Sequence, residues 1–251
     1  MGKISFENFG IAASKGNDNT ISASRYYMQK DEEKLILGDV ISKLEITSED
    51  ELMDVGSNTG NLTIPLSFFV NNITAVDHAE CLDKLNSRFP NLDNICLIPG
   101  DFMEVDIKKT FNKILIYSVL HYLEDENETI DFIVKAASLL KAGGRLLLGD
   151  LPNIDKERRF LNSDFGKKYQ EEWISKRKLI QKKLAGDAEC IGDLLKDSVK
   201  DARYVQFNDA LILKIIGIFR NKGYHVYLFP QAQGLPFSNE REDIVIEKLL
   251  D

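Results

Sequence analysis

Cysteine is scarce in this chain of 251 residues, and its three copies, Cys81, Cys96 and Cys190, stand far apart. An odd number at that spacing makes neither a disulfide framework nor a metal-ligand pattern, so no metal site is expected. Unpaired thiols fit a reducing cytoplasm, the expected compartment. Long apolar runs are missing too. The most apolar stretch, 210–219, still carries Lys214, so no membrane span is expected. Residues 1–7 lack the apolar centre of a secretory signal. Phe6 stands where an N-myristoylation signal needs Ser or Thr. Positive charge is in deficit: 32 Lys and Arg face 40 Asp and Glu, for a net charge of −8. That argues against a general nucleic-acid binder, whose binding face would be basic. Internal repeats and low-complexity segments are absent as well.

What is present suits one sizeable core with a small appended subdomain: 43% hydrophobic and 29% charged residues. The chain is organised around residues 52–65, Leu-Met-Asp-Val-Gly-Ser-Asn-Thr-Gly-Asn-Leu-Thr-Ile-Pro. This reads as a buried strand ending near Asp54, a tight turn on Gly56 and Gly60, and the start of a helix. The two glycines carry no Cβ and accept a positive φ, so a ligand can approach bare backbone. The following helix aims its free N–H groups at the same place. A small-molecule pocket at the carboxyl end of this strand follows. A dinucleotide fingerprint needs G-x-G-x-x-G, and residues 56–61 do not supply the second and third glycines in register.

Strand signals recur down the chain. Residues 73–77 form a β-rich run closed by Asp77, 23 positions after Asp54. Residues 94–98 form a third run that leads into Pro-Gly-Asp101-Phe102. The apolar run from Asn112 to Tyr117 suits a central parallel strand buried on both faces, with Ser118, His121 and Tyr122 in its exit loop. Helical spacing marks residues 31–44, 62–70, 79–89, 127–140 and 209–222. The glycine pair 143–144 is expected to end the fourth of these before a fifth strand over 145–150. Residues 223–230 and 242–248 supply strands six and seven. His121 is the best general-base candidate by chemistry, since imidazole titrates near neutrality.

Asp54-x-Gly56-x-Asn58-x-Gly60 resembles motif I of the class I S-adenosylmethionine (SAM)-dependent methyltransferases, with Asn58 in place of the middle glycine. Asn is the non-glycine residue that best tolerates a left-handed backbone. The string 139–148, Leu-Leu-Lys-Ala-Gly-Gly-Arg-Leu-Leu-Leu, and the C-terminal 241–246 are also similar to that family. The resemblance spans roughly 50–150 and 207–250. It implies an α/β fold, a seven-stranded, mostly parallel, doubly wound sheet of Rossmann-like type whose last strand is antiparallel. It implies that SAM is bound, with S-adenosylhomocysteine (SAH) as product. Asp54, Gly56, Asn58 and Gly60 would form the cofactor loop. Asp77, with His78 beside it, would take the ribose hydroxyls, Asp101 and Phe102 the adenine, and Ser118 would adjoin the cofactor. His121, Tyr122, Asp150 and the early Tyr26 and Tyr27 would line the substrate side.

The chain then divides into an N-terminal helical cap (1–50), a SAM-binding core (51–150 and 207–251) and a helical insertion after the fifth strand (151–206). Within the insertion, residues 156–183 hold ten Lys and Arg against four acids, with Phe160, Phe165, Tyr169 and Trp173 interleaved. A lid for an anionic substrate, a solvated helix face and a dimer contact all fit that composition. The expected function is methyl transfer to an oxygen or nitrogen of a small metabolite, an anionic one among the options. A non-catalytic SAM-binding partner of the same fold and an aminopropyltransferase-like enzyme stay open as alternatives. Monomer and homodimer are equally open.

Overall fold

The structure is a computed structural model that describes residues 3–15, 18–23, 25–91, 93–184, 190 and 204–250. The N-terminal segment contributes helices α1 (Lys3–Lys15), α2 (Asn19–Ser22), α3 (Lys30–Glu33) and α4 (Ile36–Leu44), with a 3₁₀ turn at Tyr27–Gln29. The core follows as β1 (Glu51–Val55), α5 (Thr63–Leu66), β2 (Asn72–Asp77), α6 (Ala79–Arg88), β3 (Ile95–Pro99) and β4 (Phe111–Tyr117). After a 3₁₀ turn at Leu120–Tyr122 come α7 (Glu126–Ser138), β5 (Leu140–Pro152), α8 (Ile154–Leu161) and α9 (Asp164–Leu184). The chain closes with α10 (Asp209–Asn221), β6 (His225–Pro230) and β7 (Arg241–Glu247).

The seven strands form one sheet in the order β3-β2-β1-β4-β5-β7-β6. β1 through β5 pair in parallel, and β7 lies antiparallel between β5 and β6. Alternation of side chains along each strand sorts an almost continuous apolar sequence into two layers. Met53, Ile114, Ile116, Leu146 and Leu148 face one way, onto Phe132 and Ile133 of α7 and Ile215 and Phe219 of α10. Leu52, Leu115, Leu147 and Val245 face the other way, onto Ile36, Val40 and Leu44 of α4.

Several expected boundaries shift. The helix expected over 31–44 is two helices, α3 and α4, separated at Lys34–Leu35. The helix expected over 62–70 is only α5. Its end tightens into turns in which Phe68 and Phe69 bond back three residues, to the carbonyls of Pro65 and Leu66. The Gly143–Gly144 pair lies within β5 rather than in a turn before it. There Gly143 donates to the Lys248 carbonyl, and Lys248 donates to that of Gly144. Much of the expected insertion lies outside the described residues. Its described part, α8 and α9, is helical.

Near its end β5 bulges, with the register to β7 shifting between Leu148 and Leu151. Asp150 sits in that bulge at φ 62°. A bulge re-aims the side chain it carries, and here the Asp150 carboxylate is fully buried.

Candidate active site

The loop leaving β1 is built around backbone that most residues avoid. Gly56, Asn58 and Gly60 have φ of 77°, 49° and 86°. The Gly56 N–H donates to the Val76 carbonyl at 2.9 Å, tying the turn to β2. The Asn58 N–H donates to Asp77 Oδ2 at 2.7 Å, and the His78 N–H to Asp77 Oδ1 at 2.6 Å. Asp77 thus joins the glycine turn to the end of its own strand. Asp54 is buried beneath the turn and accepts the Thr63 hydroxyl at 2.6 Å, which anchors the first turn of α5.

A cavity of about 530 Å³ opens over this turn, at the carboxyl ends of the parallel strands. Its floor includes Asp54, Gly56, Ser57, Asn58, Asp77 and Ser118. The N-terminal segment contributes Phe9, Arg25, Lys30, Lys34 and Leu37 to its walls, together with Val119 and with Tyr122, whose ring lies 4.9 Å from that of Phe9, centroid to centroid. A narrow cleft of about 20 Å³ continues past Gly56 and Asp77 to Gly100, Asp101 and Phe102. Phe6 of α1 forms part of its wall and lies 5.1 Å from the His78 ring, centroid to centroid.

The expected site residues fall into two groups. Asp54, Gly56, Asn58, Asp77 and Ser118 border the large cavity, and Asp101 and Phe102 border the cleft. Tyr122 also borders the cavity. Gly60 serves packing instead, since a Cβ there would meet Leu85 Cγ at 2.6 Å. His78 caps α6, with Nδ1 accepting the Glu80 N–H at 3.2 Å, and borders neither space.

Four of the residues expected on the substrate side do not border the cavity. Asp150 does not reach the cavity. It is buried behind Ser118, whose hydroxyl donates to it at 2.6 Å, and it pairs with Arg25 Nη2 at 2.8 Å. Tyr26 turns away from the cavity and lies between Trp173 and Phe237, with the Arg177 guanidinium 4.6 Å from its ring centre. Tyr27 faces outward beneath Lys30. His121 is set behind the wall with Nδ1 sealed from solvent and without a partner. Burial, with Arg241 and Arg25 nearby, pushes its pKa down to about 3 despite Asp150. A ring so hard to protonate is a poor general base.

Residues that the sequence pattern left unmarked also line the cavity, among them four basic ones and the acid Glu33. Arg25, Lys30, Lys34 and Arg88 all border the cavity. Only the position of Arg25, one residue before the Tyr26–Tyr27 pair, brought it near notice. The basic residues of the insertion, by contrast, stay outside: Lys167, Lys168, Lys178, Lys182 and Lys183 are exposed on α9. Helix α9 reaches Tyr26 of the N-terminal segment through Trp173 and Arg177.

Two buried acids set the electrostatics of the floor. Burial raises the Asp77 pKa against the pull of the Asn58 and His78 N–H groups. Burial also lifts Asp54 to about 7, opposed by the Thr63 hydroxyl and aided by nearby Asp77. The folded protein therefore holds the Asp54 proton more tightly than the unfolded chain, whose Asp titrates near 3.9. The resulting stabilisation is complete below about pH 4 and disappears as pH rises toward 7. Asp54→Asn cannot ionise. Urea denaturation from pH 4 to 8 should show wild type losing stability relative to this variant up to about pH 7, then a constant difference. A constant difference over the whole range would refute the assignment.

A Cβ on Gly56 would lie 2.3 Å from Val119 Cγ2, so this cradle depends on glycine. The Ser57 hydroxyl, on the cavity floor, is buried without a hydrogen-bond partner among the described residues. Such a group calls for a bound one. Together the glycine turn, that hydroxyl and the carboxylates Asp77 and Asp101 suit a nucleoside linked to a polar tail. The cleft as it stands is smaller than a purine.

A parallel sheet with only its seventh strand reversed, over a glycine turn tied to an acid at the end of β2, is the fold of the class I SAM-dependent methyltransferases. Within that class the chain belongs to the nodulation protein S (NodS) family, whose model matches residues 17–158, more than half the chain. An uncharacterised methyltransferase of Bacillus cytotoxicus is 28% identical over 123 residues, 49% of this chain and 55% of that protein. The chain spans about half the length of the first curated relatives it matches. Among solved structures, phosphoethanolamine N-methyltransferase 1 of Haemonchus contortus, bound to phosphoethanolamine and SAH, superposes with a TM-score of 0.66 at 16% identity. That likeness covers 98% of this chain and 49% of the other. The N-methyltransferase NodS of Bradyrhizobium japonicum, in complex with SAH, gives 0.58 at 12% identity over 96% of this chain and 98% of that one. At these identities the structural likeness speaks for the fold.

Proposed function

We propose that this chain transfers the methyl group of SAM to a nitrogen of a small metabolite. The observation that carries the reading is the cavity itself: a floor of glycine turn and buried acids, with an unpartnered buried hydroxyl in it. Bound there, SAM would supply a methyl group on a positively charged sulfur. Asp77 would accept hydrogen bonds from the ribose hydroxyls, because a carboxylate takes two donors side by side. Asp101 would accept from the adenine amino group beside Phe102. Asp54 would keep α5 in place through Thr63. Val119 and Tyr122 would border the acceptor.

Nitrogen is favoured over oxygen by the state of His121. His121 is held neutral and sealed, so it is unsuited to take a proton from a hydroxyl. An uncharged amine brings its own lone pair, and holding it in line supplies much of the rate. The family model and two nitrogen-methylating structural relatives support this choice, although a protein described as an O-methyltransferase shares the fold. The N-terminal 1–50 would act as cap and the insertion 151–206 as lid, with α9 keeping water from the mouth. Among the described residues no helix is long and apolar enough to cross a membrane.

Calorimetric titration with SAM, SAH and NAD tests the reading. SAH should bind wild type, and Asp77→Ala should weaken it at least about tenfold, as expected for loss of a charge-assisted pair of hydrogen bonds. NAD should not bind. Release of SAH in the presence of amines separates an enzyme from a non-catalytic SAM-binding protein. Failure of SAM and SAH to bind folded wild type would sink the proposal.

A further inference from the structure

The cavity holds a cation that the cofactor reading does not use. Arg25 is 4% exposed yet borders the cavity. Its Nη2 reaches the Ser118 hydroxyl at 2.5 Å and Asp150 Oδ2 at 2.8 Å. Among the described residues its Nη1 and Nε make no hydrogen bond. A guanidinium carries five donors in a fixed planar fork, so one edge of it is unused. The carboxylate behind it is also shared, because Arg241 Nε lies 3.8 Å from Asp150 Oδ1. Asp150 therefore orients Arg25 without saturating it.

The location matters as much as the charge. Arg25 is fixed at the exits of β4 and β5, through Ser118 and Asp150. The glycine turn and Asp77 lie toward β1 and β2, on the other side of the cavity floor. Arg25 thus borders the cavity on the side away from Asp77.

We propose that Arg25 anchors an anionic group of the acceptor, a carboxylate or a phosphate, so that the substrate is an amine that also carries an acid. The assignment rests on the methyl-transfer reading above and narrows its substrate class. Asp150 and Ser118 act as positioning residues that hold the guanidinium. A planar fork matches either oxyanion in bidentate fashion.

Full-length wild type, R25Q and the charge-neutral double variant R25Q/D150N are each saturated with SAH. They are then titrated calorimetrically with acetate and with inorganic phosphate at constant ionic strength. One of the two anions should bind wild type and weaken at least about tenfold in both variants, while SAH affinity changes by less than about threefold. The anion that binds tells carboxylate from phosphate. The double variant leaves no unpaired carboxylate, so it tests the assignment even where R25Q fails to fold. Neither anion binding wild type, or equal binding in wild type and the double variant, would overturn the proposal. A tenfold loss of SAH affinity in the double variant would also overturn it, by giving Arg25 to the cofactor instead. Failure of SAH to bind wild type would bring down the methyl-transfer reading, and this assignment with it.

Discussion

R25Q should lower the stability of the protein by about 3 kcal/mol in urea denaturation at neutral pH, because breaking a buried ion pair from one side strands the other charge. Burial by itself would raise the Asp150 pKa. Arg25, then Arg241, His121 and Ser118, outweigh it and hold the group at about 2. Without Arg25 the carboxylate keeps only Arg241 at 3.8 Å and the neutral donors Ser118 and Gln231. That remnant puts the expected loss at the lower end of the usual range of roughly 3–5 kcal/mol. R25Q/D150N should recover most of it, since neither charge is then present.

The loss should also depend on pH. In wild type the depressed Asp150 pKa contributes stability above about pH 4, and this fades as pH falls toward 2. In R25Q burial favours the protonated acid, so that variant gains relative to wild type as pH falls. The two proteins should converge in acid. A deficit below about 1 kcal/mol at neutral pH, or one that widens in acid, would show that the pair does not stabilise the fold.

Gly56→Ala should have the largest effect on ligand binding. Two separate penalties meet at this position. At φ 77° any Cβ is strained, at about 1–2 kcal/mol. The added carbon would also lie 2.3 Å from Val119 Cγ2, and overpacking of that kind typically costs about 1–3 kcal/mol. The expected destabilisation is their sum, about 2–5 kcal/mol. Because Gly56 borders both the large cavity and the cleft, the displaced turn should also reduce SAH affinity by about a hundredfold, equal to about 2.7 kcal/mol. Val119→Ala in the same chain relieves the clash but not the backbone strain. The double variant should therefore regain part of the stability and stay below wild type. Wild-type SAH affinity in Gly56→Ala would show that the ligand does not approach this turn.

Much of the core was legible because strands and helices are written in short-range patterns. The apolar runs at 52–55, 73–76 and 112–117, the acids that close the first two, and the glycines at 56 and 60 all lie within a few residues of one another. Their chemistry is local: a left-handed φ needs Gly or Asn, and a strand buried on both faces needs an unbroken apolar run. The NodS family match over 17–158 covers this same stretch. Helix limits were less legible. The end of α5 depends on where the chain must turn to start β2, not on its own composition.

The substrate side shows what sequence could not decide. Asp150 reads as a polar residue at a strand end, ready for a ligand. In the fold a bulge turns it inward, and Arg25, 125 positions earlier, takes its charge. Lys43 pairs with Asp243 across 200 positions at 2.6 Å in the same way. Tyr26 and Trp173 meet only because the fold brings α9 against the N-terminal segment. His121 carries the right side chain for a base, but burial and two guanidiniums remove its basicity. By itself the sequence determined the layered sheet, the glycine turn and the acids on the cofactor side, since each follows from the conformational needs of neighbouring residues. Only the tertiary structure decided which charges face the cavity and which are spent on one another. Pairing and proton affinity depend on burial and on partners brought together from distant parts of the chain, and no local pattern encodes those.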